Sequence, residues 1–216
     1  MNLSVILLSG GKGLRMGLSQ PKQYLPLGSK AVAEHSFDLF KAHPLIDKIV
    51  VVCEKEYEPI FREALFARPG RRRQDSVWNG LEKISSEWVL VHDAARPFLS
   101  RHALDRLIES REEAEALTLA APLKFTLKEA GTNHFVTQTV DRNHHFEIQT
   151  PQMLKTHLLR KGLQCALTHA LDLSDDVSAA ELLHVPVKLI LNPEPNFKIT
   201  TSHDYTLAKA LVQTLS

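Results

Sequence analysis

Short runs of apolar and β-branched residues recur at 3–9, 49–53, 88–92, 117–122 and 187–191, and helix-like stretches separate them. The runs predict strands, and the intervening stretches predict helices near 31–42, 56–66, 75–84, 101–115, 153–168, 176–183 and 204–215. Strands apolar on both faces and joined by crossover helices belong to a parallel sheet covered on both sides, so an α/β fold is expected. The last helix opens at Thr201-Ser202-His203-Asp204, a capping-box pattern in which the Thr and Asp side chains serve first-turn amides. Residues 124–149 break the rhythm. Gly131-Thr132-Asn133 sits between two segments that alternate β-formers with polar groups, 125–127 and 135–140, which predicts a hairpin. It carries too few large apolar groups on its outer face to form a core, so it is either a projecting arm that pairs with something, a candidate for dimerisation, or an ordinary solvated hairpin.

Composition narrows the class. The chain has 216 residues, 44% hydrophobic and 24% charged, which excludes wholesale disorder and suits one domain, 1–216. Lys plus Arg number 26 against 25 acidic residues, a net charge of +1. That balance argues against a general nucleic-acid or membrane-surface binder, so any anion site must be local. Cys53 and Cys165 show neither zinc-ligand spacing nor a disulfide framework and are expected to be buried thiols. The apolar run at the start lacks a basic flank and is too short for a signal segment or a membrane span, so a cytoplasmic protein is expected.

The strongest local signal is Ser9-Gly10-Gly11-Lys12-Gly13-Leu14-Arg15-Met16-Gly17, directly after the first strand. Backbone amides of such a loop can cradle phosphates. It is not the dinucleotide fingerprint, whose third glycine would fall on Met16, nor a P-loop, since no Gly-Lys is followed by Ser or Thr. It carries Lys12 and Arg15 and is followed by Pro21-Lys22-Gln23-Tyr24, so three cations lie near one strand end, suited to stabilising a transferring phosphoryl group. A second strand runs into His92-Asp93-Ala94-Ala95-Arg96-Pro97, where Asp93 could hold Mg²⁺ on a nucleoside triphosphate and Arg96 could meet an anion. Four arginines around Pro69-Gly70 read as a loop whose backbone reaches a ligand, and the pair His144-His145 as a solvated turn.

Seven segments resemble, in order, 2-C-methyl-D-erythritol 4-phosphate cytidylyltransferases: the glycine loop, Pro21-Lys22-Gln23-Tyr24, Asp75-Ser76-Val77, the strand end at Asp93, Thr139-Val140-Asp141-Arg142, Thr150-Pro151-Gln152 and Lys198-Ile199-Thr200. The resemblance implies a Rossmann-like α/β nucleotidyltransferase domain with a mixed, mostly parallel sheet. It implies also a protruding β-arm, 124–145, that embraces a second subunit in a homodimer. The implied reaction joins CTP and 2-C-methyl-D-erythritol 4-phosphate into 4-diphosphocytidyl-2-C-methyl-D-erythritol and pyrophosphate, a step of non-mevalonate isoprenoid synthesis. By the same resemblance Arg15 and Lys22 are catalytic, and Ser9, Gly10, Gly11, Gly13, Gly70, Arg71, Ser76 and Ala94 bind the nucleotide. Asp93 works with Mg²⁺, and Asp93, Arg96, Thr126, Arg142, Thr150 and Lys198 hold the sugar phosphate. Many members carry Ala-Ala-Gly in place of Ser9-Gly10-Gly11 and Gly-Gly in place of Pro69-Gly70. The first of these departures resembles ribitol-5-phosphate cytidylyltransferases, which makes ribitol phosphate the alternative acceptor. A nucleotide-sensing module would have lost Arg15, Lys22 or Asp93, and all three are present.

Overall fold

The computed structural model describes residues 2–11 and 20–215. Its strands, in chain order, are β1 (Leu3–Leu8), β2 (Pro26–Leu27), β3 (Lys30–Ala31), β4 (Lys48–Val52), β5 (Leu65–Ala67) and β6 (Trp88–Asp93). They continue with β7 (Ala116–Pro122), β8 (Leu127–Ala130), β9 (Val136–Val140), β10 (Phe146–Lys155) and β11 (Val187–Leu191). The helices are α1 (Val32–Lys41), α2 (Arg73–Leu81), α3 (Arg101–Glu109), α4 (Thr156–Thr168), α5 (Ser178–Glu181) and α6 (Ser202–Leu215).

Seven strands form one sheet in the order β11-β7-β10-β6-β1-β4-β5. Its neighbours are parallel except β10, which runs antiparallel to both β6 and β7. Alternate residues of the buried strands enter two apolar layers. On one face Leu3, Val5 and Leu7 pack with Phe37 and Phe40 of α1 and Leu104 and Leu107 of α3. On the other, Ile6, Val50 and Val52 pack with Val77 and Leu81 of α2 and Leu158, Leu159 and Leu163 of α4. The sheet is therefore an α/β, mixed and mostly parallel one. Strand β1 pairs with β4 on one side and β6 on the other, so strand order reverses there, and a crevice opens beyond the carboxyl ends of these strands.

The mixed, mostly parallel sheet implied by the resemblance is present, but the pattern of apolar runs did not reveal its antiparallel strand, β10. This strand carries Pro151, which argues against a central strand because it cannot donate to a ladder. The sheet accommodates it where the β10–β7 register shifts between Ile148 and Gln152. The expected helix at 153–168 consequently starts only at Thr156, after the strand. The expected helix at 56–66 is a 3₁₀ turn, Lys55–Ile60, holding Pro59, followed by β5 at the sheet edge. Cys53 is buried as expected, but Cys165 on α4 is only half-buried. The capping box forms as expected: Thr201 Oγ1 accepts from the Asp204 amide at 3.2 Å and Asp204 Oδ2 accepts from the Thr201 amide at 2.8 Å. The hairpin forms too, with β8 and β9 pairing antiparallel as a separate two-stranded sheet.

Candidate active site

The crevice begins where β1 ends. The Ser9 amide donates to Val52 O at 2.9 Å and the Ala94 amide to Leu8 O at 3.0 Å, so three strand ends are laced at one level. The 3₁₀ turn Lys22–Tyr24 then fixes the glycine loop. Gln23 Nε2 donates to the carbonyls of Ser9 and Gly11, both at 2.8 Å, and the Tyr24 hydroxyl donates to Ser9 O at 2.7 Å. Tyr24 is itself clamped, stacked on Tyr57 at 3.6 Å between ring centroids. Lys22, on the same turn, is half-buried. Gly13 and Arg15 lie outside the described residues.

Across the crevice, the loop before α2 packs directly on the glycine loop. A Cβ at Gly10 would stand 2.3 Å from Pro69 Cγ, so the backbone approach there requires glycine. Gly70 sits as tightly against the start of α2, where a Cβ would meet Asp75 Cβ at 2.4 Å. Its amide donates to Ser76 Oγ at 2.9 Å. Gly10, Gly11, Gly70, Arg71, Ser76, Asp93 and Lys198 line one cleft of about 600 Å³. Ser9 and Ala94 are buried just behind it.

Asp93 ends β6 at the floor of this cleft. Its Oδ2 accepts from Lys198 Nζ at 2.7 Å and its Oδ1 from Arg73 Nε at 3.3 Å. Burial opposes ionisation of this carboxyl, but Arg73 and Lys198 outweigh it and hold the group well below the usual carboxylate range. Arg73 also grips Asp176 with both terminal nitrogens, at 2.8 and 2.7 Å. Burial disfavours the charged guanidinium, yet the two carboxylates overcome that and raise its pKa.

Behind Asp93 runs a buried relay. The Asp93 amide donates to Thr150 Oγ1 at 3.1 Å, and Thr150 Oγ1 lies 3.1 Å from His92 Nδ1. His92 Nε2 is 3.2 Å from the carbonyl oxygen of Arg96, which can only accept, so Nε2 carries the proton and Nδ1 receives the Thr150 hydroxyl. Burial pushes the His92 pKa down to about 4, so the ring is neutral and serves as a fixed spacer. Thr150 is thereby placed to hold the Asp93 backbone, with its hydroxyl engaged.

Arg96 and Lys198 line a second cleft of about 700 Å³, between the end of β7, the start of β10 and the segment 192–198. Arg96 Nη1 donates to Asn196 O at 2.7 Å. Asn196 Nδ2 in turn donates to Thr150 O at 2.8 Å, tying this cleft to the relay. Thr126 and Arg142 are brought to neither cleft: both are exposed on the arm, where Arg142 Nη1 donates to Lys124 O at 2.8 Å. Sequence reasoning missed Gln23, Arg73, Gln152 and Asp176. Gln23 and Gln152 left a signal as members of short motifs valued for their neighbours, and Arg73 as one of the arginine run, while Asp176 left none.

A glycine loop and an ionised strand-end carboxylate with two cations, set at the switch point of an α/β sheet, define a nucleotidyltransferase. The sequence model of 2-C-methyl-D-erythritol 4-phosphate cytidylyltransferase matches residues 3–214, and the chain belongs to that family. It is 42% identical over 211 residues to the enzyme of that name from Chlamydia pneumoniae, covering 97% of this chain and 98% of that protein. It is 42% identical over 221 residues to the chloroplastic one of Oryza sativa subsp. japonica, covering 98% of this chain and 74% of that protein. Among solved structures, the 2-C-methyl-D-erythritol 4-phosphate cytidylyltransferase of Thermus thermophilus superposes with a TM-score of 0.83 at 31% identity, covering 96% of this chain and 98% of that one. The 4-diphosphocytidyl-2C-methyl-D-erythritol synthase of Anaerococcus prevotii gives 0.85 at 27%, covering 98% of both chains.

Proposed function

We propose that this chain transfers the cytidylyl group of CTP to 2-C-methyl-D-erythritol 4-phosphate in the crevice beyond β1 and β6. The observation that carries the reading is Lys198, which borders both clefts and bonds to Asp93 between them. One cleft suits the triphosphate, offering a glycine loop and arginines, and the other suits a phosphorylated polyol, offering Arg96 and buried amides. An oxygen of the acceptor phosphate attacks the α-phosphorus, and the bond from that phosphorus to the bridging oxygen of the β-phosphate breaks, releasing pyrophosphate. The attacking group is already an anion, so no general base is needed, and the engaged, neutral His92 fits that requirement. Arg15 and Lys22 stabilise charge on the α-phosphate and the leaving pyrophosphate. Ser9, Gly10, Gly11, Gly13, Gly70, Arg71, Ser76 and Ala94 surround the nucleotide, while Arg96, Thr150 and Lys198 hold or frame the acceptor.

A divalent cation suits this residue set. Among the described residues no cluster of three or more His, Cys, Asp or Glu could hold a metal, whereas Mg²⁺ bound to nucleotides takes one or two carboxylates and fills its shell with phosphate oxygens and water. Asp93, kept ionised in the cleft, would supply the carboxylate, and the ion would neutralise triphosphate charge. The free thiols Cys53 and Cys165 suit the reducing cytoplasm.

The arm, 124–145, is the dimerisation element in this reading. Phe125, Phe135 and Val136 are 83%, 74% and 59% exposed on it, apolar surface that a second copy would cover. Thr126 and Arg142 would then complete the partner's acceptor cleft. Pyrophosphate release with CTP tests the reaction, using methylerythritol phosphate, ribitol phosphate or no acceptor. Release chiefly with methylerythritol phosphate is expected, and a preference for ribitol phosphate would overturn the acceptor. Mixing Lys22→Ala and Arg142→Ala proteins under subunit exchange should restore roughly a quarter of wild-type activity, one intact site per heterodimer. A mixture that stays inactive despite exchange would refute the shared site.

A further inference from the structure

Asp176 lies outside both clefts, 2% exposed, on the segment before α5. Its backbone is fixed by one side chain: Gln152 Oε1 accepts from the amides of Asp176 and Val177 at 2.7 and 3.0 Å, while Gln152 Nε2 donates to Asp175 Oδ2 at 3.0 Å. Held this way, both Asp176 oxygens face both terminal nitrogens of Arg73 in a fork-to-fork pair. Only Nε of Arg73 is left for Asp93, at 3.3 Å, long beside the 2.7 Å bond from Lys198.

A guanidinium next to a lone carboxylate takes up the bidentate geometry, because two parallel charge-assisted bonds are stronger than one. Here Asp176 occupies the fork, so Arg73 meets Asp93 through Nε alone and cannot grip it with two bonds. Its charge matters as well. Asp93 and Asp176 face Arg73 and Lys198 two against two, whereas without Asp176 both cations would face Asp93 alone and the added positive charge would oppose a bound cation.

We propose that Asp176 is a positioning residue that confines Arg73 to one long bond with Asp93 Oδ1, leaving that oxygen open to the divalent cation that accompanies the triphosphate. This rests on the reading of Asp93 as the cation's carboxylate.

The test compares wild type, Asp176→Asn, Arg73→Gln, the double variant and Asp93→Asn. Binding of Mn²⁺ in the presence of CTP, without acceptor, is read by electron paramagnetic resonance. Calorimetric CTP binding in EDTA and thermal unfolding are run beside it. Asp176→Asn should weaken Mn²⁺ binding about tenfold, the effect of a unit charge several ångströms from a divalent ion in a partly hydrated cleft. The double variant should return to within about threefold of wild type, since removing Arg73 removes what Asp176 restrains. A double variant as weak as or weaker than Asp176→Asn, with metal-free CTP binding or thermal stability falling in step, would make Asp176 a structural support and overturn the proposal. Where Asp176→Asn fails to fold, the decision passes to Arg73→Gln. That variant should bind Mn²⁺ at least as tightly as wild type, and weaker binding would overturn the proposal. Unchanged Mn²⁺ binding in Asp93→Asn would instead overturn the Asp93 reading, and the proposal with it.

Discussion

Gly10→Ala is the sharpest probe of how the nucleotide cleft is built. An ideal Cβ at this position falls 2.3 Å from Pro69 Cγ and 2.6 Å from Pro69 Cβ. Ordinary carbon contacts lie near 3.5–4.0 Å, so the two loops must separate by roughly 1–1.5 Å. The obstacle is a proline ring and cannot rotate away as a long flexible side chain would. Overpacking of this kind costs about 1–3 kcal/mol, which at about 2–4 °C per kcal/mol for a chain of this length lowers Tm by roughly 2–12 °C. On the proposed reading, separation would also shift Gly10 and Gly11 away from the triphosphate, so KM for CTP should rise.

Pro69→Gly removes the ring that the added methyl group would strike. Alone, it costs only the entropy of a freer unfolded chain, about 0.4–1 kcal/mol. In the double variant the new methyl group meets only the Cα of residue 69, at an ordinary 3.6 Å, and the coupling energy should be favourable by about 1 kcal/mol or more, on the order expected of residues in direct contact. The pairing is also that of the family pattern, Ala in the loop with Gly-Gly opposite. Differential scanning calorimetry and CTP saturation curves on the four proteins decide it. Additive effects, or Gly10→Ala alone with wild-type Tm and KM, would show that the loops are not in mutual contact.

Two further outcomes follow from the site. Lys22→Ala should lower kcat by roughly 10²–10³ with Tm little changed, if it is a preorganised donor to the transition state; turnover at the wild-type rate would remove Lys22 from that role. His92 is held with its pKa at about 4, below the 6.5 of an unfolded histidine, so between these values the unfolded chain binds the extra proton and stability falls as pH drops, by about 3 kcal/mol over the window. Urea unfolding from about pH 7 down to the folded-state value should show that slope in wild type and a flatter one in His92→Gln, and equal slopes would place the titration elsewhere.

The glycine loop and Asp93 were legible in the sequence because each follows a run of buried β-formers, and strand ends of a parallel sheet converge. Their supports were not. Lys22 drew notice as a cation, yet Gln23 and Tyr24 beside it are what pin the loop, through bonds to backbone carbonyls that any sequence position could supply. Arg73 stood in an arginine run read as a loop whose backbone reaches a ligand, with no role for its side chain, and its partner Asp176 lies 103 residues away. Nothing in local pattern links two charges at that distance. Strand β10 was hidden by Pro151, since period and propensity report what a strand prefers and not where a ladder is interrupted. The region 56–66 has helical spacing of apolar groups, but Pro59 ends the ladder after a 3₁₀ turn.

The pairing of charges explains how so cationic a crevice can exist before any ligand arrives. Arg73 and Lys198 are partly buried, and unpaired cations there would repel one another and carry the cost of lost hydration. Asp93 and Asp176 offset that cost by pairing with them. The arrangement also sets what binding must do. On the proposed reading a triphosphate meets cations that Asp93 and Asp176 already pair, so it would be held by exchange, with the backbone at Gly10 and Gly11 and exposed Arg71 adding attraction. Lys198 cannot give its full charge to an acceptor phosphate while Asp93 keeps the 2.7 Å bond. On the proposed reading, drawing Asp93 toward the nucleotide would free Lys198 for the acceptor phosphate, so this one ion pair would couple the two clefts without a movement of the fold.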